Sequence, residues 1–188
     1  MAMVLDRSAL AGAVLVALAL SGCSAAPVAP VTDTPTPTAT QAEARIFAND
    51  DEALVAAKKA YAAFQDMSNR IAADGGVAPE RMEAFAAGDA LEAEIESLRG
   101  IAKRHLQAVG RLKFDSFRLQ ETDVRSGAVS AYLCLDVSDT DLVDEAGNSI
   151  VGSGRRSRLP LAVSFSYYSH VQRLMVTESE IWSGTDFC

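Results

Sequence analysis

The sequence is short of the residues that usually announce chemistry. Its 188 positions hold two histidines, three cysteines, one tryptophan and 6% aromatic residues. The two histidines, His105 and His170, share no ligand spacing with each other or with a cysteine, so no metal site is expected. No Cys-x-x-Cys pair is present, which removes zinc ribbons and dithiol redox centres from consideration. Basic charge is scarce too. Seventeen Lys and Arg stand against 25 Asp and Glu, a net charge of −8. A chain this acidic repels phosphate backbones, so no nucleic-acid partner is expected. Long hydrophobic runs are also missing. The longest, Ala9 to Leu20, would make about 18 Å of helix, against roughly 30 Å of bilayer hydrocarbon. The length suits one domain with a tail.

What is present begins at the N-terminus. Asp6 and Arg7 precede the apolar run, which has the length of a signal-peptide core and is too short to span a bilayer. It ends in Leu20-Ser21-Gly22-Cys23. These four residues resemble the lipobox of bacterial lipoproteins: Leu, two small residues, then the Cys. The resemblance implies removal of residues 1–22 as a signal peptide. It also implies diacylglyceryl transfer to the Cys23 thiol and acylation of the new N-terminus. Two or three acyl chains hold a protein stably at a membrane where one does not. The expected partner is therefore membrane lipid, and the expected location is the extracytoplasmic side of the cell membrane. Residues 23–45 then place Pro27, Pro30, Pro35 and Pro37 among Thr, Ala and Val with no apolar period. Such a stretch buries too little surface to fold and reads as an extended tether of roughly 60 Å.

Residues 46–188 read as the folded domain. Asn49 and Glu52 form a capping box that opens a helix, and Leu54, Tyr61, Phe64 and Ile71 lie on its apolar face. Asp74-Gly75-Gly76 closes it. Pro79 opens a short second helix carrying Met82 and Phe85, with Gly88 as its stop. Asp89 and Glu92 cap a third helix. Its stripe runs through Leu91, Ile95, Leu98 and Ala102, with His105 continuing it as a packing residue. From there the period changes to two. Leu112, Phe114 and Ser116 alternate with charged residues, and the extended run continues to Val124. Val129, Ala131, Leu133, Leu135 and Val137 share one strand face, while Tyr132, Cys134 and Asp136 share the other. A loop with a turn at 146–148 follows. Next comes a strand with Leu161, Val163, Phe165 and Tyr167 inward, then a last strand from Val171 to Trp182.

Helices followed by antiparallel strands give an α+β class. The order and lengths are similar to the NTF2-like cone, in which N-terminal helices pack on a curved antiparallel sheet. A cystatin-like fold wraps one helix, and three helices argue against it. The words Ala131-Tyr132-Leu133-Cys134-Leu135-Asp136 and Ser179-Glu180-Ile181-Trp182-Ser183-Gly184-Thr185-Asp186-Phe187-Cys188 resemble small exported lipoproteins of high-GC Gram-positive bacteria. The excess of Arg over Lys agrees with that source.

Outside the cytoplasm two thiols in one small domain pair, so Cys134 and Cys188 are the expected disulfide. The acidic run Asp136, Asp139, Asp141, Asp144, Glu145 lacks the order of an EF-hand and reads as a solvated loop. Arg155, Arg156 and Arg158 read as a charged strand edge, with an anionic partner as the alternative. Gly152-Ser153-Gly154 precedes no helix and is no phosphate loop. The resemblance to the cone implies a pocket between helices and sheet, in which relatives place an Asp, His or Tyr for proton transfer. The candidates for such a role are Tyr61, Tyr132, Asp136 and Glu178. No pair among them is marked as matched, and no cofactor is implied. The expected function is that of a binding or accessory module of the cell envelope, taking a small apolar ligand or an envelope protein. The alternative is a small pocket enzyme of isomerase, dehydratase or hydrolase type.

Overall fold

The computed structural model describes residues 45–188. The segments read above as a signal peptide, as a lipobox at Leu20–Cys23 and, for nearly all its length, as a tether lie outside these residues.

Helix α1 spans Asp50–Ala73. Asn49 caps it by accepting from the Glu52 amide at 2.9 Å, and the Glu52 carboxylate returns to the Ala48 amide at 2.6 Å. The buried face is not the large-residue stripe alone. Ala53 and Ala57 lie against the sheet where Leu54 was expected, and their small side chains bring the helix backbone close. Gln65, Ser68 and Asn69 are buried on the same face. The helix ends at Asp74, and Gly76 then takes a φ of 77°. A side chain there would run into the Leu98 carbonyl, so glycine is required where the chain crosses the next helix.

Pro79–Ala84 forms a 3-10 turn carrying the buried Met82. The stop expected at Gly88 is instead a start. Helix α2 spans Gly88–Lys103, with Ala87 as its N-cap and no side-chain cap. Asp89 and Glu92 therefore form no capping box. Asp89 sits inside the first turn, where its negative charge still favours the helix N-terminus. The helix ends at Lys103, so His105 does not continue its stripe. His105 takes a φ of 52°, its side chain is 76% exposed, and Nδ1 lies 3.6 Å from the Glu145 carboxylate.

Two antiparallel sheets follow. The strands β1 (Gln107–Val109) and β4 (Asp141–Val143) pair in a small ribbon. The main sheet holds β2 (Lys113–Asp123), β3 (Ala128–Asp136), β5 (Arg158–Tyr168) and β6 (Arg173–Ile181), in the order β2-β3-β5-β6. Strands β3 and β5 alternate without interruption. Val129, Ala131, Leu133, Val163 and Phe165 face the helices and are buried. The outer two strands are bulged. Register shifts fall between Asp115 and Arg118 and again after Leu119 on β2, and Thr177 is the extra residue on β6. Bulges bend a strand and increase its twist, which curves the sheet around the helices. The helices and the sheet form an α+β cone.

Candidate functional site

The wide end of the cone is open. A cavity of about 590 Å³ lies between α1, α2, the small ribbon and the ends of β3, β5 and β6. Its wall is mostly apolar, with Phe64, Leu98, Leu135, Leu159 and Leu161 among the lining. Volume and lining fall in the range of small-molecule sites.

Polar groups enter from three elements. On α1, Tyr61, Gln65 and Ser68 follow at helical spacing along the buried face. On α2, Glu94 lies four residues from each of Ala90 and Leu98, both buried, so it projects into the cavity rather than to solvent. On β6, the Thr177 bulge decides which side the strand's end presents. Ser179 pairs with the inward Val163 and so faces the cavity.

These groups meet. The Ser68 hydroxyl donates to Glu94 Oε1 at 2.5 Å. Burial raises the Glu94 pKa, and the Ser68 hydrogen bond lowers it. Tyr61 is 1% exposed, and Ser179 lies close enough to its phenol to influence its ionisation. Its pKa is raised, first by burial and then by the negative charge of Glu94, against the effect of Ser179. The Tyr61 ring stands edge-on to Phe114 with centroids 4.8 Å apart, which fixes its orientation. Asn69 ties down the neighbouring wall. Its Nδ2 donates to the Leu112 carbonyl at 3.1 Å, and its Oδ1 accepts from the Leu112 amide at 2.9 Å.

Of the four sequence candidates, only Tyr61 lies in this cavity. Tyr132 faces the other side of the sheet, against Trp182 with ring centroids 4.8 Å apart. Asp136 is also outside the cone. Its carboxyl is held below the ordinary range by hydrogen bonds from Ser138 and by nearby Arg158 and Lys113. Glu178 is exposed and accepts from Ser164 Oγ at 2.8 Å. Glu94 was missed, although the pattern Ala90-Glu94-Leu98 holds the signal. An acid at i+4 between two apolar residues on a helix stripe is turned inward with them.

The other candidate groups disperse. Asp139 pairs with Lys113 at 2.6 Å, Asp141 accepts from Ser149 Oγ at 2.7 Å, and Asp144 closes a turn through Asn148. Among the described residues no three His, Cys, Asp or Glu side chains are grouped to hold a metal ion. Arg155 and Arg156 line the cavity rim. Arg155 donates to the carbonyls of Val137 at 2.8 Å and Thr140 at 2.6 Å, and Arg156 is paired with Asp186. Arg158 lies outside, bridging Asp115 at 2.6 Å and Asp136 at 3.5 Å. Cys134 and Cys188 form a disulfide with Cα atoms 5.6 Å apart. It draws the C-terminal tail across the outer sheet face, where Gly184 passes so close to the Trp182 indole that a side chain there would have to displace the ring.

No protein-family model matches this sequence, and no curated protein does. Solved structures do. The intermembrane space region of the chloroplast protein ARC6 superposes with a TM-score of 0.50 at 11% identity, over 68% of this chain and 95% of that one. Aln2 from a Streptomyces species gives a TM-score of 0.47 at 19% identity, over 71% of this chain and 91% of that one. At 11% identity the first likeness is one of fold and of nothing else. Helices seated on a curved antiparallel meander with an open wide end make this an α+β cone of the NTF2-like type.

Proposed function

We propose that this protein is a lipid-anchored binding module of the cell envelope, held at the extracytoplasmic face of the membrane through Cys23, with its cone taking a small, largely apolar ligand. The observation that carries the binding reading is the cavity itself: about 590 Å³, apolar-walled, with a few polar groups converging at its buried end. A purely structural domain gains stability from filling such a space, and here it is left open. The anchoring rests on the sequence Leu20-Ser21-Gly22-Cys23 and on the proline-rich residues after it. No helix among the described residues is long and apolar enough to cross a membrane.

Native mass spectrometry of the full chain extracted from membranes tests the binding reading. A co-purified small molecule lost on Leu98→Trp, which fills the cavity, supports it. Retention of the same molecule by that variant places the ligand elsewhere and defeats it. Anchoring is tested by Cys23→Ala, which is expected to leave the chain unprocessed or released to the medium. Unchanged mass and membrane retention would count against the lipoprotein.

A second reading has its own observation. Glu94 and Tyr61 share the cavity, and burial shifts both. A carboxyl whose pKa is raised by burial is suited to general acid-base work. In that reading the cone is a small isomerase, dehydratase or hydrolase. Glu94→Gln would then abolish turnover while leaving ligand affinity largely intact.

A further inference from the structure

The buried end of the cavity is built from acceptors that lack a cation. Glu94 offers a carboxylate with up to four lone-pair sites, and the described residues supply one hydrogen bond to it, from Ser68. No lysine, arginine or histidine among the described residues lies within ion-pair distance of it. Gln65 lines the same space, one helical turn beyond Tyr61. It is 6% exposed, and its amide makes no hydrogen bond to the described residues. Glu94 keeps one protein partner and the Gln65 amide none, and no fully buried side-chain atom among the described residues goes unpaired, so their free lone pairs open onto the cavity, where an entering donor can complete them. Tyr61 and Phe64 line the same space.

We propose that the cavity recognises the ammonium group of a small apolar amine, with Glu94 as its counter-charge and the Gln65 carbonyl as a second acceptor. This deepens the binding reading above and rests on it. An ammonium carries three donors and no acceptor, so it can serve both oxygens at once while its apolar body lies along Leu98, Leu159 and Leu161. A carboxylic acid ligand would meet Glu94 as a like charge. A neutral alcohol could donate to only one of the two acceptors. The lining carries charge of both signs: Arg156 is paired with Asp186, Arg155 is held by the Val137 and Thr140 carbonyls, and Asp141 adds a negative charge.

The test is calorimetry on the full-length protein with three matched probes: 4-phenylbutylamine, 4-phenylbutanol and 4-phenylbutyrate. The amine is expected to bind at least tenfold more tightly than the alcohol, and the butyrate weakest. Glu94→Gln should bring amine and alcohol to within about twofold of each other, and Gln65→Leu should weaken the amine severalfold. Alcohol binding equal to amine binding, or amine binding untouched by Glu94→Gln, overturns the cation inference while leaving the cavity as a binding site. Failure of all three probes to bind, in both the original chain and Glu94→Gln, overturns the inference together with the binding reading.

Discussion

The two faces of the main sheet are built on different principles. The inner face carries Val129, Ala131, Leu133, Val163 and Phe165, all buried, and then stops short of filling the cone. The outer face carries Tyr132, Cys134, Asp136 and Arg158, held by ring contacts, ion pairs and the Cys134–Cys188 disulfide. Strength on one face is covalent and electrostatic; on the other it is packing. The arrangement leaves room inside because the sheet is fastened from outside. The titratable residues of the outer face stay in contact with water, whereas Tyr61 on α1 and Glu94 on α2, which face the inner side, are taken out of it.

The largest effect should come from undoing the outer fastening. The disulfide closes a sequence separation of 54 residues, worth about 4 kcal/mol in the chain-entropy account. Chemical denaturation of Cys134→Ser with Cys188→Ser should show that loss. A change under 1 kcal/mol would mean that the outer face adds little and that packing alone holds the sheet.

Next in size is a cut into the inner face. Leu133 sits mid-strand on β3 with 0% exposure, so Leu133→Ala should cost about 3 kcal/mol. The same denaturation experiment on Tyr132→Ala, one residue away on the outer face, should cost less. Equal costs would erase the distinction between the faces.

How much of this was legible in the sequence depends on whether a local period survived intact. Strands β3 and β5 could be read residue by residue because their alternation is unbroken. Strand β2 could not be carried through. Ser116 sits in a bulge with a φ of 53°, so the inward side passes from Phe114 to Phe117 and Leu119, which a strict period of two cannot follow. The three-residue strands β1 and β4 have no period at all and exist only because they pair with each other. On α2 the stripe Leu91, Ile95, Leu98 and Ala102 was chosen for its large residues. Yet Ala90 is buried and Leu91 only half so, and that small rotation of the face is what turns Glu94 inward. Ser179 was out of reach for the same reason as Phe117: a bulge, here at Thr177, sets its side. The site was thus obscured where small residues and bulges, rather than bulky apolar ones, decide orientation.

The third effect concerns pH and separates the faces by sign. Burial makes Glu94 hold its proton to higher pH in the folded chain than the ordinary glutamate value of 4.5. The stability this contributes is complete below 4.5 and is lost as pH rises through the raised value. Glu94→Gln should therefore flatten the decline in stability on the neutral side of pH 4.5, measured by denaturation at a series of pH values. A profile identical to that of the original chain would show that the inner carboxyl is solvated after all.

The smallest effect belongs to the outer ion pairs, and its smallness matters to the comparison. Hydrogen bonding from Arg158, then from Ser116, lowers the Asp115 pKa below its ordinary 3.8. That contribution is present above 3.8 and disappears as pH falls through the depressed value, the reverse of Glu94. Arg158→Met should remove much of it while retaining the apolar stem of the side chain. Asp136 keeps its hydrogen bonds from Ser138, so its share should persist. Because Asp115 is about half exposed and Arg158 one-third, added salt should weaken the original pair and leave the variant unchanged. At high salt the two midpoints should converge. If they stay apart, Arg158 acts through something salt does not screen, its Nε hydrogen bond to the Cys188 carbonyl at 3.3 Å being the available contact. The outer face would then depend on how the tail is seated rather than on its charges.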